Sequence, residues 1–167
     1  LILLYRILFV LYAEDRNLLP DEFGPYADYS LTRIRQDVAD RVAARRAFPS
    51  SAATYWPKLQ SIFRAIADGD DDLGIPPYDG GLFDSAAAPI LERARLNDKV
   101  VTDIVFRLSH QVDPKSGRPP KYINYRDLSV QQLGSIYEQI LEHGLRLQDD
   151  GTIGIAAETS GRKGSGS

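Results

Sequence analysis

The sequence has no cysteine and no methionine, and only two histidines, His110 and His143. Without cysteine there are no disulfides and no thiolate metal sites. Two histidines far apart in the chain, with no convergent carboxylate cluster, leave a metal centre without an evident ligand set. Net charge is also scarce, −3 over 167 residues. That argues against a free-standing nucleic-acid binder with a strong basic field, and leaves room for one basic face on a mixed surface. No apolar run reaches the ~20 residues of a membrane helix. The longest, LILLYRILFVLY at residues 1–12, stops at Glu14-Asp15-Arg16. It also lacks the basic start and small-residue cleavage site of a secretory signal. These absences predict a cytoplasmic protein with no membrane partner. The missing methionine and the start on Leu1 predict a segment excised from a larger protein.

What is present is ordinary globular material. Hydrophobic residues make up 43% and charged residues 26%, enough for one domain with a real core. Residues 1 to about 17 read as a helix buried on most sides, ended by Pro20. Arg6 on that apolar helix requires a partner carboxylate or must snorkel to solvent. After the Pro/Gly-bearing stretch PDEFGPYADY, Ser30 is a candidate N-cap. Leu31, Ile34, Val38 and Val42 follow as one helical stripe. Arg33, Arg35, Arg41, Arg45 and Arg46, with Asp37 and Asp40, are placed opposite it. That is a solvated face or, as the sharper alternative, a phosphate-facing patch.

Pro49 breaks the chain. Tyr55, Leu59, Ile62, Phe63 and Ile66 predict a third helix stopped by Gly69, with Trp56 in its first turn as a core anchor. Asp70-Asp71-Asp72 lacks the alternating ligands, turn glycine and distal glutamate of a calcium loop, and reads as a solvated acidic turn. A short helix over 89–96 and another over 99–111 come next. The second has Val100, Val101, Ile104, Val105 and Leu108 inward, and His110 set against the C-terminal dipole. DPKSGRPPKYINY at 113–125 is a basic, proline-rich loop. Ser129 and Gln132 have the spacing of a capping box. Leu133, Ile136, Tyr137, Ile140 and Leu141 form that helix's inner face, and Gly144 suits the left-handed residue beyond its end. Alternation at Leu145, Leu147, Ile153 and Ile155 around Asp-Asp-Gly predicts a hairpin. The fold expected is mainly α: a bundle-like connector of five or six helices over residues 1–144. A small C-terminal β-hairpin occupies 145–158, and a flexible tail 159–167.

No enzyme constellation stands out. No glycine cluster follows a strand and opens a helix. Ser109 and His110 are neighbours, and neighbours on one helix do not face each other. Ile75-Pro76-Pro77-Tyr78 differs by one letter from the catalytic tetrapeptide of amino-directed DNA methyltransferases. There the first side chain offers an oxygen to the target amine, and the aromatic stacks on the flipped base. Ile75 has no oxygen. Gly74, the two prolines, Gly80 and Gly81 more simply set a rigid turn, with Tyr78, Leu82 and Phe83 packing inward. No catalytic, cofactor-binding or metal-ligating residue is assigned.

Three stretches do form a pattern in this order: LLYRILFVLYAEDRNLLP at 3–20, GIPPYDGGLFD at 74–84 and INYRDLSVQQLGSIYEQILE at 123–142. With the closing RKGSGS they resemble the helical segment upstream of the methyltransferase domain in type IIG restriction–modification enzymes. Related adenine-specific DNA methyltransferases of phage-defence systems share it. Leu133-Gly134-Ser135-Ile136-Tyr137-Glu138 is the most specific part. The resemblance implies a non-catalytic connector that joins modules and helps hold double-stranded DNA, beside an adjacent methyltransferase domain and, in some relatives, a nuclease domain. S-adenosylmethionine, and magnesium where the parent cleaves, would belong to the parent protein. The cofactor loop and the true tetrapeptide would lie beyond Ser167, so no catalytic role transfers to any position here. Candidate DNA-backbone contacts are Arg45, Arg46, Lys115, Arg118, Lys121, Arg162 and Lys163. The alternative is a stand-alone helical protein-interaction module of unrelated function.

Overall fold

The computed structural model describes residues 1–20, 24–78, 80–113, 115, 119–147 and 153–157. Contacts divide the chain into two compact units, residues 2–127 and the stretch from Leu128 onward, with Leu1 grouped in the latter. The division falls ahead of the last helix, which the sequence groups with the helices before it.

In the first unit the chain forms α1 (Ile2–Asp15), a 3-10 turn (Pro25–Asp28), α2 (Leu31–Ala43) and α3 (Tyr55–Asp68). A second 3-10 turn (Ser85–Ala87), α4 (Pro89–Arg93), α5 (Asp98–Ser109), β1 (His110–Gln111) and β2 (Lys121–Tyr122) follow. α1 is the central element. Tyr5, Ile7, Leu8, Val10, Leu11, Tyr12 and Ala13 are all buried, as expected of a helix apolar on every side. It packs on α2 and α5, and α5 also meets α3. No helix among the described residues is long and apolar enough to cross a membrane.

Arg6 does not snorkel to solvent, and its carboxylate partner is a distant one. Its side chain is 1% exposed, yet its partners are chiefly backbone. Nε donates to the Leu82 carbonyl and Nη2 to that of Asp84, both at 2.9 Å. The guanidinium lies over the rings of Phe63 and Phe83, while Glu92 stands off at 3.9 Å. Burial pushes its pKa down, and the nearby charges of Glu92 and Asp84 oppose this. The arginine thus fastens the glycine-rich loop to α1.

Glu14, also on α1, is buried with four donors converging on it. Tyr26 Oη and the Leu31 N–H reach Oε1 at 2.6 and 2.7 Å, and the Thr32 N–H and hydroxyl reach Oε2 at 2.6 and 2.7 Å. It therefore caps the start of α2 from another helix, where backbone N–H groups otherwise lack intrahelical partners. Ser30 adds the local cap, accepting from the Arg33 N–H. Asp98 does for α3 what Glu14 does for α2: its Oδ1 accepts from the N–H groups of Thr54 at 2.5 Å and Tyr55 at 3.1 Å. Trp56 is buried and donates from Nε1 to the Ala94 carbonyl. Gly69 ends α3 at φ 79°, and a Cβ there would stand 2.8 Å from the Pro77 ring. Position 69 is closed to side chains by both conformation and space.

Two inward expectations fail. Val42 and Val100 are 37% and 41% exposed, in the last turn of α2 and the first turn of α5, while Val38, Val101 and Val105 are buried. Arg35, placed with the solvated face, is instead buried. It sits four residues after Leu31 and three before Val38, so helical periodicity puts it beside the stripe. It pairs with Asp15 at 2.8 Å and lies 4.0 Å from the Tyr122 ring centroid.

In the second unit α6 (Val130–Glu142) runs directly into β3 (His143–Leu147), which pairs antiparallel with β4 (Ile153–Ala157). The capping box closes as the spacing predicts: Ser129 N–H donates to Gln132 Oε1 and Gln132 N–H to Ser129 Oγ. Gly144 stands in β3 opposite Ala156, as a strand residue and not as a helix stop. The expected burial of the Tyr137, Ile140 and Leu141 side chains, the Asp-Asp-Gly turn and the tail 159–167 lie outside the described residues.

Candidate nucleic-acid interface

The candidate backbone contacts fall into two groups. α2 and α5 run antiparallel. Thr32 and Arg35 of α2 line a hollow with His110 and Tyr122, whereas Val42 shares another with Asn97 and Lys99. Lys121, on β2 opposite Gln111, therefore lies at one end of this helix pair, and Lys115 is in the connection leading to it. Arg45 and Arg46 lie at the other end. From Arg35 to Arg45 the helical rise is roughly 15 Å. All four of these side chains are exposed. Arg118, Arg162 and Lys163 lie outside the described residues.

Arg45 has a property that the sequence does not signal. α2 ends in a Schellman turn: the Arg46 N–H donates to the Arg41 carbonyl and the Arg45 N–H to that of Val42. This puts Arg45 at φ 52°, where glycine is the ordinary choice. α1 closes with the same hydrogen-bond pattern at Asn17, φ 56°, and asparagine tolerates that conformation. An arginine held there stores on the order of 1 kcal/mol of backbone strain. The strained turn aims two consecutive cations into solvent. Arg45→Gly should raise the unfolding free energy by about 1 kcal/mol in denaturant titration.

The tetrapeptide Ile75-Pro76-Pro77-Tyr78 is part of the scaffold. Ile75 is 1% exposed and exchanges two backbone hydrogen bonds with Asp70, bridging the acidic turn. Asp70 Oδ1 also accepts from the Leu73 N–H. Tyr78 packs edge-on against Phe9 and donates from its hydroxyl to the Leu18 carbonyl. Phe83 is buried against Phe9 and Phe63. Through Phe9 the loop meets α1, and through Phe63 it meets α3.

Ser109 and His110 do meet, contrary to the expectation for helix neighbours, because His110 has already left the helix for β1. Ser109 Oγ lies 2.9 Å from His110 Nδ1 and 2.6 Å from the Val105 carbonyl. The hydroxyl has one proton, and it goes to Val105, so Nδ1 carries its own and donates to Oγ. This is the reverse of what an activated serine needs, and Ser109 is fully buried. His110 stacks on Phe106 and meets the edge of Tyr122. Burial lowers its pKa; a hydrogen bond with the Phe106 backbone opposes this and the Arg35 charge adds to it. The balance favours the neutral ring over the cation.

A pH dependence follows. The unfolded chain binds a proton at His110 near the usual value of about 6.5, and the folded chain only at lower pH. Between these values the unfolded state holds more protons, so stability is full above about pH 6.5 and falls as pH drops through the window. Glu14 titrates in the opposite sense, its carboxyl pushed up by burial against hydrogen bonds from Tyr26, Thr32 and Leu31. The readout is therefore the difference between wild type and His110→Gln, in which Glu14 cancels. That difference should shrink steadily from neutral pH toward pH values near 5.

Among the described residues no group of three His, Asp or Glu side chains is placed to hold a metal ion. A hollow of about 810 Å³ lies between α2 and α5, with Val38, Val42, Phe48, Val100 and Ile104 among its lining. No family model, no curated protein and no solved structure matches this chain.

Proposed function

We propose that the chain is a non-catalytic helical connector of an adenine-specific DNA methyltransferase or restriction–modification enzyme, and that it touches DNA through backbone phosphates. The observation that carries this reading is the ordered succession of the three stretches at 3–20, 74–84 and 123–142. Two further features support it. The loop that imitates a catalytic tetrapeptide has an apolar, buried first residue. Arg45 and Arg46 project from a strained helix end, where long cations can reach phosphates without reading bases.

Fluorescence anisotropy with labelled duplexes of two unrelated sequences tests the DNA contact. Binding should be weak, with Kd on the order of 10⁻⁴–10⁻⁶ M, equal for both duplexes, and weaker as salt rises. Arg45→Ala with Arg46→Ala should lower the salt slope by about 2. A preference for one duplex, or no binding at low salt, overturns the assignment. Calorimetric titration with S-adenosylmethionine should give no saturable heat. A saturable heat at micromolar cofactor would show that the chain holds a cofactor site and is not a passive connector.

A further inference from the structure

Arg6 holds two loop carbonyls and still has donors to spare. Nε and Nη2 are bonded to Leu82 and Asp84. Nη1 has no hydrogen-bond partner among the described residues, and Glu92 Oε1 stands 3.9 Å from it, beyond hydrogen-bond reach. Arg6 and Glu92 both line a hollow of about 420 Å³, bounded also by α3 and by the loop that Arg6 clasps. That volume is within the range of small-ligand sites, about 300–1,000 Å³. A buried cation with open donors is costly, and the gap to Glu92 suits one shared oxygen. Two hydrogen bonds of about 2.8 Å that meet on a hydroxyl span about 4 Å or a little more.

The loop side of the hollow is Gly80 and Gly81. Unlike Gly69, neither has a backbone in the left-handed region, and a Cβ on either meets no atom within 4 Å. Neither conformation nor packing among the described residues calls for glycine there. What the pair supplies is bare backbone and room. The charges are mixed: Arg6 and Arg64 stand against Asp68, Asp84 and Glu92. A free anion meets three carboxylates, a cation meets two guanidinium groups, and like charges brought together are costly. The carboxylates are not placed to hold a metal ion. A neutral ligand whose polar groups both donate and accept satisfies such a lining, and the hydroxyl is that group. Tyr78, half-buried at the edge, offers an apolar wall to a C–H face.

We infer that this hollow binds a neutral sugar, with one hydroxyl bridging Arg6 Nη1 and Glu92 and its neighbours meeting Asp68 and Ser85. This goes beyond the connector reading and does not rest on it. Arg45 and Arg46, which test the DNA contact, do not line the hollow, so the two readings fail separately.

Saturation-transfer NMR on the full chain tests it. Glucose, galactose, mannose and ribose are the probes, and glucuronate and glucosamine the charged controls. At least one neutral sugar should bind saturably, with Kd on the order of 10⁻³ M, and both charged sugars at least about tenfold more weakly. Its methyl glycoside should bind alike if the site takes the end of a glycan, and more weakly if it takes the free sugar. Gly81→Val fills the room and Glu92→Leu removes the acceptor. Each should weaken the sugar by about tenfold or more and leave the thermal melt in place, since both positions are exposed. Where one variant melts early, the other decides. No saturable signal from any of the four sugars leaves the gap to water and overturns the inference. Tighter binding of glucuronate or glucosamine would make this a site for a charged ligand and overturns it too. So does a signal that survives both substitutions, which would place the sugar elsewhere.

Discussion

Glu14→Gln should lower the unfolding free energy by about 3 kcal/mol, although it changes only an oxygen to an amide nitrogen. The carboxylate accepts from two backbone N–H groups and two hydroxyls, two donors on each oxygen. An amide keeps one oxygen. Its NH₂ must then face the N–H of Leu31 or of Thr32, and one helix-terminal donor of α2 is left buried against another donor. Hydrogen bonds to a charged group contribute about 1.5–3 kcal/mol each, and an orphaned buried donor costs about 1–3. Tyr26→Phe removes a single donor and should cost about 1 kcal/mol. In the double variant the two losses should not add, since Tyr26 donates to the same carboxylate that Glu14→Gln replaces. Urea unfolding with an unchanged m-value is the measurement. A Glu14→Gln protein as stable as the wild type would mean that α2 is not capped from α1.

Arg6→Met should cost about 2–4 kcal/mol, and its damage should be local to the loop at 74–84. Methionine keeps most of the side-chain length beside Phe63 and Phe83 but cannot donate. The carbonyls of Leu82 and Asp84 then lose their buried partner, which is the expensive half of breaking such a pair. Arg6→Lys should rescue little, because one ammonium cannot serve two carbonyls in the fork geometry of Nε and Nη2. Hydrogen exchange locates the effect. The Tyr78 N–H, bonded to the Ile66 carbonyl, and the Phe83 N–H should lose protection before the amides of α2 do. Uniform loss of protection across the first unit would place Arg6 in the global core instead of at the loop clasp.

The helices were legible because each announces itself within a dozen residues. Ser30, followed by Leu31, Ile34 and Val38, marks the start and inner stripe of α2, and the structure begins the helix at Leu31. The Ser129–Gln132 box forms as its spacing dictates. Less local features were missed. β1 and β2 have two residues each, too short for any alternation, and the stretch between them reads as a proline-rich loop. The candidate basic residues could be named from the chain. Their separation to the two ends of the α2–α5 pair could not, since that depends on which way the helices run.

Composition and periodicity by themselves determined a mainly α chain with a C-terminal hairpin and a buried first helix. They also determined that Ile75 cannot do the work of an amide or acid. These properties follow from single residues or from local spacing, two apart in a strand and three or four apart in a helix. Only the tertiary structure decided what satisfies the charges on that first helix. Arg6 finds carbonyls 76 and 78 residues away, Glu14 caps a helix 17 and 18 residues on, and Asp15 ties Arg35 to the Tyr125 N–H 110 residues away. Burying an ionised group is costly unless its hydrogen bonds are met. That cost requires partners without naming them, and only the path of the chain through space selects which backbone groups arrive.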